Sequence, residues 1–489
     1  MAHSIIYNFS LNLINTILGL LFPIVTFPYI SHVLDPSGVG LVAFFSAINN
    51  YIILLTSLGI PLYAIREISK VRENVEVRNK TTAEILLLHF LLTLIGYIIV
   101  VILCFTVQRI YEHLIIYLIL SLSIGFTTIG VNWFYQGIED FKYITVRSVL
   151  FKIISFVALL ILVQNKSDVE GYACVTVIST VGNNILNFIR LRKYFSQCKI
   201  SYKDLQIMRH LRPALKIFLI NLITSIYLNL DSVMLGFMKN DSVVGLYAAA
   251  SRIVHVFLTI LTSLGSVLLP RLSNCVASNK WNEFSILKDK AIQFVFMMGL
   301  PLSIGLIIVA PEFMILFAGA KYIEAIPTVR ILAPIIFFVG LSGILGLQIL
   351  YSVGKENLVI ICTATGASIN LITNIILIPQ FNQDGAAIAT VLAEFSVLLV
   401  MVIIGKRYID YHYLNKQIRC ILISVAIMTL TVLYIHITLS HHSISILSMF
   451  AIEVFLGGLS YFVVLYFSNN KLALSFIATT KRFLQFPKK

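Results

Sequence analysis

The sequence predicts an all-α integral membrane protein of about fourteen transmembrane helices, built as two parallel six-helix lobes plus a C-terminal helix pair. Three observations carry this. Apolar residues are 58% of the 489 and charged residues 12%, about half the charged share usual in soluble domains, so surplus apolar surface needs lipid as its solvent. The apolar runs are continuous and about twenty residues long, which fits helices; barrel strands would alternate apolar and polar residues in segments of about ten. The basic residues crowd into alternate loops, as in a chain that crosses the bilayer repeatedly.

Taken in order, spans are expected near 9–33, 41–64, 82–107, 114–136, 143–164, 171–190, 214–238, 244–269, 291–317, 326–350, 357–378, 385–405, 418–438 and 444–467. The first run is too long for a cleavable signal, and it lacks a basic n-region and a small-x-small cleavage site. With loops assigned alternately to two sides, about 30 of the 36 Lys and Arg fall on the side of both termini and about four fall opposite. Rich loops include Arg66 to Lys80, Arg190 to Lys216, Arg271 to Lys290 and Lys406 to Arg419. Poor loops are tiny, such as Asp35–Gly38, Arg109–His113 and Asn165–Glu170. Both termini are therefore expected in the cytoplasm, and the net charge of +14 reads as topology rather than nucleic-acid binding. Outer loops this short leave no room for a catalytic site built there. The six cysteines are scattered, with no CxxC and no His/Cys cluster, and read as buried apolar side chains. No metal site and no cofactor is expected.

The chain carries an internal repeat. EGYACVTVIST, from Glu170, resembles DGAAIATVLAE, from Asp384, and one constant offset carries Gly171 to Gly385, Thr176 to Thr390, Lys193 to Arg407 and Tyr194 to Tyr408. DPSGVGL before the second span matches DSVVGL before the eighth, and QGIEDF after the fourth corresponds to SVGKEN after the tenth. An even number of helices per repeat gives parallel halves related about the membrane normal, the usual build of an alternating-access transporter. The expected division is 1–195 for the N-lobe, 196–213 for a cytoplasmic linker, 214–410 for the C-lobe, and 411–489 for the extra helices and tail.

Ionisable groups inside the membrane are costly, and each is a functional candidate. Asp231, Arg252 and Glu394 lie at similar depth, roughly 10–12 Å from the outer helix ends at 1.5 Å per residue. They either bind an anion or a coupling cation or form a structural salt bridge. His255 is one helical turn after Arg252 and either donates to an anion or packs as a satisfied histidine. Arg66, Arg147 and Lys152 lie near inner helix ends, where they snorkel to headgroups or form a cationic mouth. Asn8, Asn12, Asn15 and Gly19 make a polar stripe on the first helix; Asn221, Ser225, Leu228 and Ser232 repeat its spacing on the seventh. Such stripes glue helices or line a shared cavity. Asn183, Asn184, Asn187, Asn370 and Asn374 could add to that lining. Trp133 reads as an interfacial anchor, and Glu453, outside the repeat, as structural. No P-loop, GxGxxG, HExxH or GxSxG motif is present, so an enzyme is not expected, and direct drive by ATP is not expected either.

SHVLDPSGVGLVAFFSA (from Ser31), WFYQGIEDFKYITVRSVLFKIISF (Trp133), LNLDSVMLGF (Leu228) and FNQDGAAIATVLAE (Phe381) together resemble the Wzx-type oligosaccharide flippases of the MATE/MOP exporter superfamily, over roughly residues 5–410. The resemblance implies a bacterial inner-membrane flippase with two six-helix lobes. It would move undecaprenyl-pyrophosphate-linked oligosaccharide units for O-antigen, capsule or exopolysaccharide. It also implies a cationic lumen, which Asp231, Arg252 and Arg66 fit by position, and transport coupled to H+ or Na+. The implied partners are the lipid-linked oligosaccharide, membrane lipids and, as candidates, other polysaccharide-assembly proteins; no nucleic acid is expected. The lipid II flippases of the superfamily place arginines in the first helix, where this chain has asparagines, which argues against a lipid II substrate. The rivals are a cation-coupled drug exporter of the same fold and a membrane polysaccharide polymerase or ligase.

Overall fold

Helices form where the apolar runs predict them. In a computed structural model, which describes residues 5–195, 205–406, 416–440, 444–470 and 474, the described residues contain no strand. We label the spans α1 (Ile5–Val33), α2 (Pro36–Val71), α3 (Val75–Thr106), α4 (Leu114–Gly137), α5 (Phe141–Leu162), α6 (Val169–Phe195), α7 (Leu211–Met238), α8 (Asp241–Ala277), α9 (Trp281–Ala318), α10 (Ala320–Leu332 and Ile335–Leu350), α11 (356–381), α12 (383–405), α13 (Lys416–Ser440) and α14 (Ile446–Phe467). Every expected span falls on one of these, and among the described residues ten helices are long and apolar enough to cross a membrane.

Local chemistry sets the boundaries. Asp35 precedes α2, with Pro36 in its first turn, where a missing N–H costs nothing. The side chains of Asn74, Asp140 and Ser445 accept from the Val77, Tyr143 and Ser448 amides and start α3, α5 and α14. Breaks occur inside several spans. α2 turns at Leu58 and Gly59, both left-handed, where glycine's missing Cβ lets the backbone lie against Ala214 and Phe218 of α7. α4 breaks at left-handed Val131, α10 bends by 43°, and left-handed Asn382 separates α11 from α12 within one 50-residue helical run. The run Arg66 to Lys80, expected as a loop, is mostly helix, formed by the end of α2 and the start of α3.

The chain divides into two compact units, Met1–Gly245 and Leu246–Lys489. In the first, α2 packs on α3, α4 and α7, and α5 packs on α1 and α6. Its aromatic core gathers Tyr63, Trp133, Phe134 and Tyr135 near one end of the bundle. Trp133 is therefore core, not the interfacial anchor expected. In the second, α9 packs on α10, α13 and α14, and α10 packs on α11 and α12. Large apolar side chains cover the outer faces, among them Phe90, Ile98 and Phe105 of α3 and Leu447, Phe455 and Phe467 of α14. Such a surface is stable only against lipid. Cys104, Cys275 and Cys362 are buried as expected, and Cys174 and Cys420 half-buried; Cys198 lies outside the described residues.

Candidate functional site

In the first unit, a polar knot ties α4, α5 and α6 together. Left-handed Val131 turns the chain at Asn132, whose side chain, on an exposed residue, bonds to α5 and α6. Its Oδ1 accepts from Arg147 Nη2 at 2.7 Å and from Asn187 Nδ2 at 3.0 Å. Asn187 also donates to the Gly130 carbonyl, Asn184 donates to the Phe126 carbonyl at 2.9 Å, and the Tyr135 hydroxyl donates to the Asn187 carbonyl at 2.8 Å. Arg190 pairs with Asp140 at 2.8 Å and stacks on Tyr143. The guanidinium of Arg147 also lies over Tyr143, 5.4 Å from its ring centre. Arg147 is 4% exposed, and its Nε and Nη1 find no acceptor. It does not snorkel: a buried guanidinium with unspent donors is a charge held ready for an acceptor. Five residues further along α5, Lys152 donates to the Ser179 carbonyl at 3.2 Å and lies 4.5 Å from the centre of the Phe22 ring of α1. A π-turn at Ile178–Gly182 loosens α6 beside it.

Near the other helix ends, α2 meets the start of α8. A Cβ built at Gly40 would fall on the Asp241 carbonyl, and one at Gly245 would fall on the Pro36 carbonyl. These are the corresponding residues of the DPSGVGL and DSVVGL repeat, so each repeat segment contributes one glycine to the same crossing. Arg109 closes it, donating to the Gly236 carbonyl, to the Lys239 carbonyl at 3.0 Å, and to the Asp241 carboxylate. Its guanidinium also covers the Phe44 ring.

A third cluster anchors the approach to α7. Buried Glu84 of α3 accepts from Arg209, from His210 Nε2 at 2.9 Å, and from the Gln206 amide at 2.9 Å. His210 Nδ1 lies 2.7 Å from the Tyr63 hydroxyl. In the second unit, Thr390 of α12 bonds Tyr247 of α8 at 3.2 Å, and Asn374 donates to Asn370 at 3.1 Å, both residues being fully buried on α11.

A family model described as "Polysaccharide biosynthesis protein" matches residues 3–276, more than half of the chain. The chain belongs to this family. A second model, described as MatE, matches residues 217–376. Over 405 residues, 82% of this chain and 94% of the relative, it is 24% identical to a protein named "Putative O-antigen transporter" from Escherichia coli (strain K12). Over 186 residues, 37% of this chain and 34% of the relative, it is 24% identical to the lipid II flippase MurJ of Bacillus subtilis (strain 168). Among solved structures, a lipid II flippase MurJ in an inward closed conformation superposes with a TM-score of 0.74 at 16% identity, covering 96% of this chain and 99% of that one. An inward-facing multidrug resistance MATE family transporter of the MOP superfamily gives 0.61 at 13% identity, over 79% of this chain and 94% of that one. At such identities these two similarities establish the fold, the MATE-like membrane architecture that the family resemblance implied.

Against this family background, the expected site residues separate into groups. Arg147 and Lys152 both lie on α5 in the first unit, with different partners: Asn132 for the one, Ser179 for the other. Arg66 stands apart from them, exposed and paired with Glu67 at 3.1 Å. Asp231 is buried on α7 near Tyr51 of α2. Arg252 and Glu394 are half-buried and His255 exposed in the second unit. The expected trio of Asp231, Arg252 and Glu394 thus draws on both units. The side chains of Asn12, Asn15, Asn221 and Ser225 lie outside the described residues. Asn184 and Asn187 bond to neighbouring backbone rather than to a lumen. Sequence reasoning missed Glu84, the pairing of Arg109 with Asp241, and the meeting of Glu312, His436 and Glu453. Glu312 and Glu84 each had one signal, an acid inside an apolar run.

Proposed function

We propose that this chain is a flippase for lipid-linked oligosaccharides, carrying undecaprenyl-pyrophosphate-linked units across the bacterial inner membrane for O-antigen, capsule or exopolysaccharide synthesis. The observation that carries the reading is the match to the polysaccharide biosynthesis family, extended along nearly the whole length of a relative named for O-antigen transport. The site supports it. Arg147 keeps two donor nitrogens unspent in a dry environment, and a pyrophosphate oxygen would accept from them in a charge-assisted pair. Lys152, five residues along the same helix, adds a second cation to this unit. Both termini lie in the cytoplasm in this reading, because the basic loops are on their side.

Movement is by alternating access. Headgroup capture near Arg147 and Lys152 is followed by separation of the Gly40–Gly245 crossing and release of Arg109 from Asp241. The driving force in this reading is an H+ or Na+ gradient or the gradient of the substrate itself. Asp231, Arg252 and Glu394 are the candidates to respond to that ion.

The test is a deletion strain examined for lipid-linked glycans and surface polymer. Complete lipid-linked units accumulating on the cytoplasmic face, with surface polymer lost, is the expected result. Single units reaching the surface without polymer would replace this reading with a polymerase. The match to the MatE model favours one rival, a cation-coupled drug exporter; unchanged glycans with altered dye retention would select it.

A further inference from the structure

Three ionisable side chains from three different helices meet inside the second unit. They are Glu312 on α9, His436 on α13 and Glu453 on α14. His436 Nδ1 lies 2.8 Å from Glu453 Oε1 and 3.6 Å from Glu312 Oε1. One ligand atom from each lies within 4.8 Å of the others. Glu312 and Glu453 are buried, Glu453 completely. At 1.5 Å per residue from their helix ends, the three sit about 6–11 Å deep, toward the face opposite the termini.

The cluster is not satisfied by itself. One imidazole N–H can serve one carboxylate oxygen, yet Glu312 Oε2 and Glu453 Oε2 are both buried without any partner. Among the described residues, no lysine or arginine is paired with either carboxyl group, so two acids share one imidazole. Burying two carboxylates this way is unfavourable unless a cation or a proton neutralises them. Glu453 also lines a cavity of about 330 Å3 whose other walls are apolar, including Phe257, Met298, Phe313 and Phe450. A fourth coordination position could open there.

We propose that Glu312, His436 and Glu453 form a site for a divalent transition-metal ion of the Zn2+ class. A divalent ion cancels both carboxylate charges and leaves the site neutral, as a hydrocarbon surrounding requires; a monovalent ion leaves one charge over. Imidazole with two carboxylates suits Zn2+, whereas Na+ and Mg2+ favour oxygen donors alone. In the neutral imidazole the proton moves from Nδ1 to Nε2 as the metal takes Nδ1, so no proton need be lost. The bound ion clips the C-terminal pair α13–α14 to α9. The site is independent of which substrate the chain transports.

The experiment uses the full chain in lipid nanodiscs, stripped with EDTA and titrated with Co2+. The expected result is one Co2+ per chain, with visible absorption bands of a low-coordinate site, displacement by Zn2+, and a raised melting midpoint that EDTA reverses. Glu312→Gln and Glu453→Gln should each weaken uptake at least about tenfold. Their metal-free melting should be no lower than that of stripped wild type, because each removes a buried charge. No uptake by wild type, uptake unchanged in both variants, or stabilisation by Na+ or by acid in place of the divalent ion would each overturn the site. If the variants do not fold, zinc-edge absorption of wild-type protein decides. One imidazole and carboxylate oxygens at about 2.0–2.2 Å support the proposal; sulfur ligation or a fully hydrated ion defeats it.

Discussion

Arg147 combines two properties that ordinarily exclude each other, deep burial and incomplete pairing. Its hydrogen bond to Asn132 and its stacking on Tyr143 hold it, yet two donor nitrogens are unspent. Replacing an incompletely paired buried charge by an apolar group of similar length often leaves stability unchanged or raises it. Arg147→Met should therefore melt within about 1 kcal/mol of wild type or above it, while surface polysaccharide falls severalfold in a complementation assay. Wild-type polymer from that variant would remove Arg147 from the substrate path. Asn187 makes the opposite case. Its Nδ2 serves both the Gly130 carbonyl and Asn132, so Asn187→Leu strands a buried carbonyl and should cost about 1–3 kcal/mol in thermal or denaturant melting. The sequence flagged Arg147 as a cation near an inner helix end and Asn187 as a polar group of the sixth span. It could not say which had spent its hydrogen-bonding capacity, because the partners, Asn132 and Gly130, lie across a break in α4 that no local propensity announces. Val131 is an ordinary β-branched residue in an unusual left-handed conformation.

At the scale of elements, each helix was legible from its apolar run, while the joints between helices were not. The crossing of α2 with the start of α8 depends on Gly40 and Gly245, where any Cβ meets backbone rather than a yielding side chain. Gly40→Val should destabilise the protein by about 1–3 kcal/mol, with the loss read as a lower melting midpoint in nanodiscs. Gly343→Ala of α10 is the matched control: a Cβ there meets nothing within 4 Å, and helix propensity predicts a gain of up to about 1 kcal/mol. Equal losses in the two variants would mean the crossing is not tight. The anchor before α7 adds a pH dependence. Burial holds His210 below the ordinary histidine range, and the hydrogen bond to Glu84 only partly offsets this. The fold therefore favours the neutral ring, with Nε2–H donating to Glu84 and Nδ1 accepting from Tyr63. A base depressed in the folded state contributes stability above its unfolded value of about 6.5, and that contribution fades as pH falls through it. The melting midpoint should drop between about pH 7 and pH 5, and His210→Gln should flatten that drop. A midpoint equally steep in the variant would assign the acid sensitivity to another group.

For the whole molecule, the two strongest features of the sequence, its continuous apolar runs and its lopsided basic loops, come from one physical cause. A bilayer demands an apolar outer surface and charges crossing a hydrocarbon layer at rising cost. The structure expresses the first demand directly, since α3 and α14 expose their largest apolar side chains. Clusters assembled from distant helices were beyond reach of the sequence for an equally simple reason. Glu312, His436 and Glu453 are separated by more than a hundred residues in part, and no spacing rule joins helices whose packing partners are unknown. The charge asymmetry can be tested on the intact cell. Ser167 lies in a poor loop and Lys280 in a rich one, both exposed. In a background whose native cysteines are replaced by alanine, Ser167→Cys should react with a membrane-impermeant maleimide added outside, and Lys280→Cys only after the membrane is opened. The prediction follows from counting crossings: α6, α7 and α8 lie between the two positions, three passages. Labelling of both from outside would break that alternation. It would require one of these helices not to cross, and the assignment of both termini to the cytoplasm would fall with it.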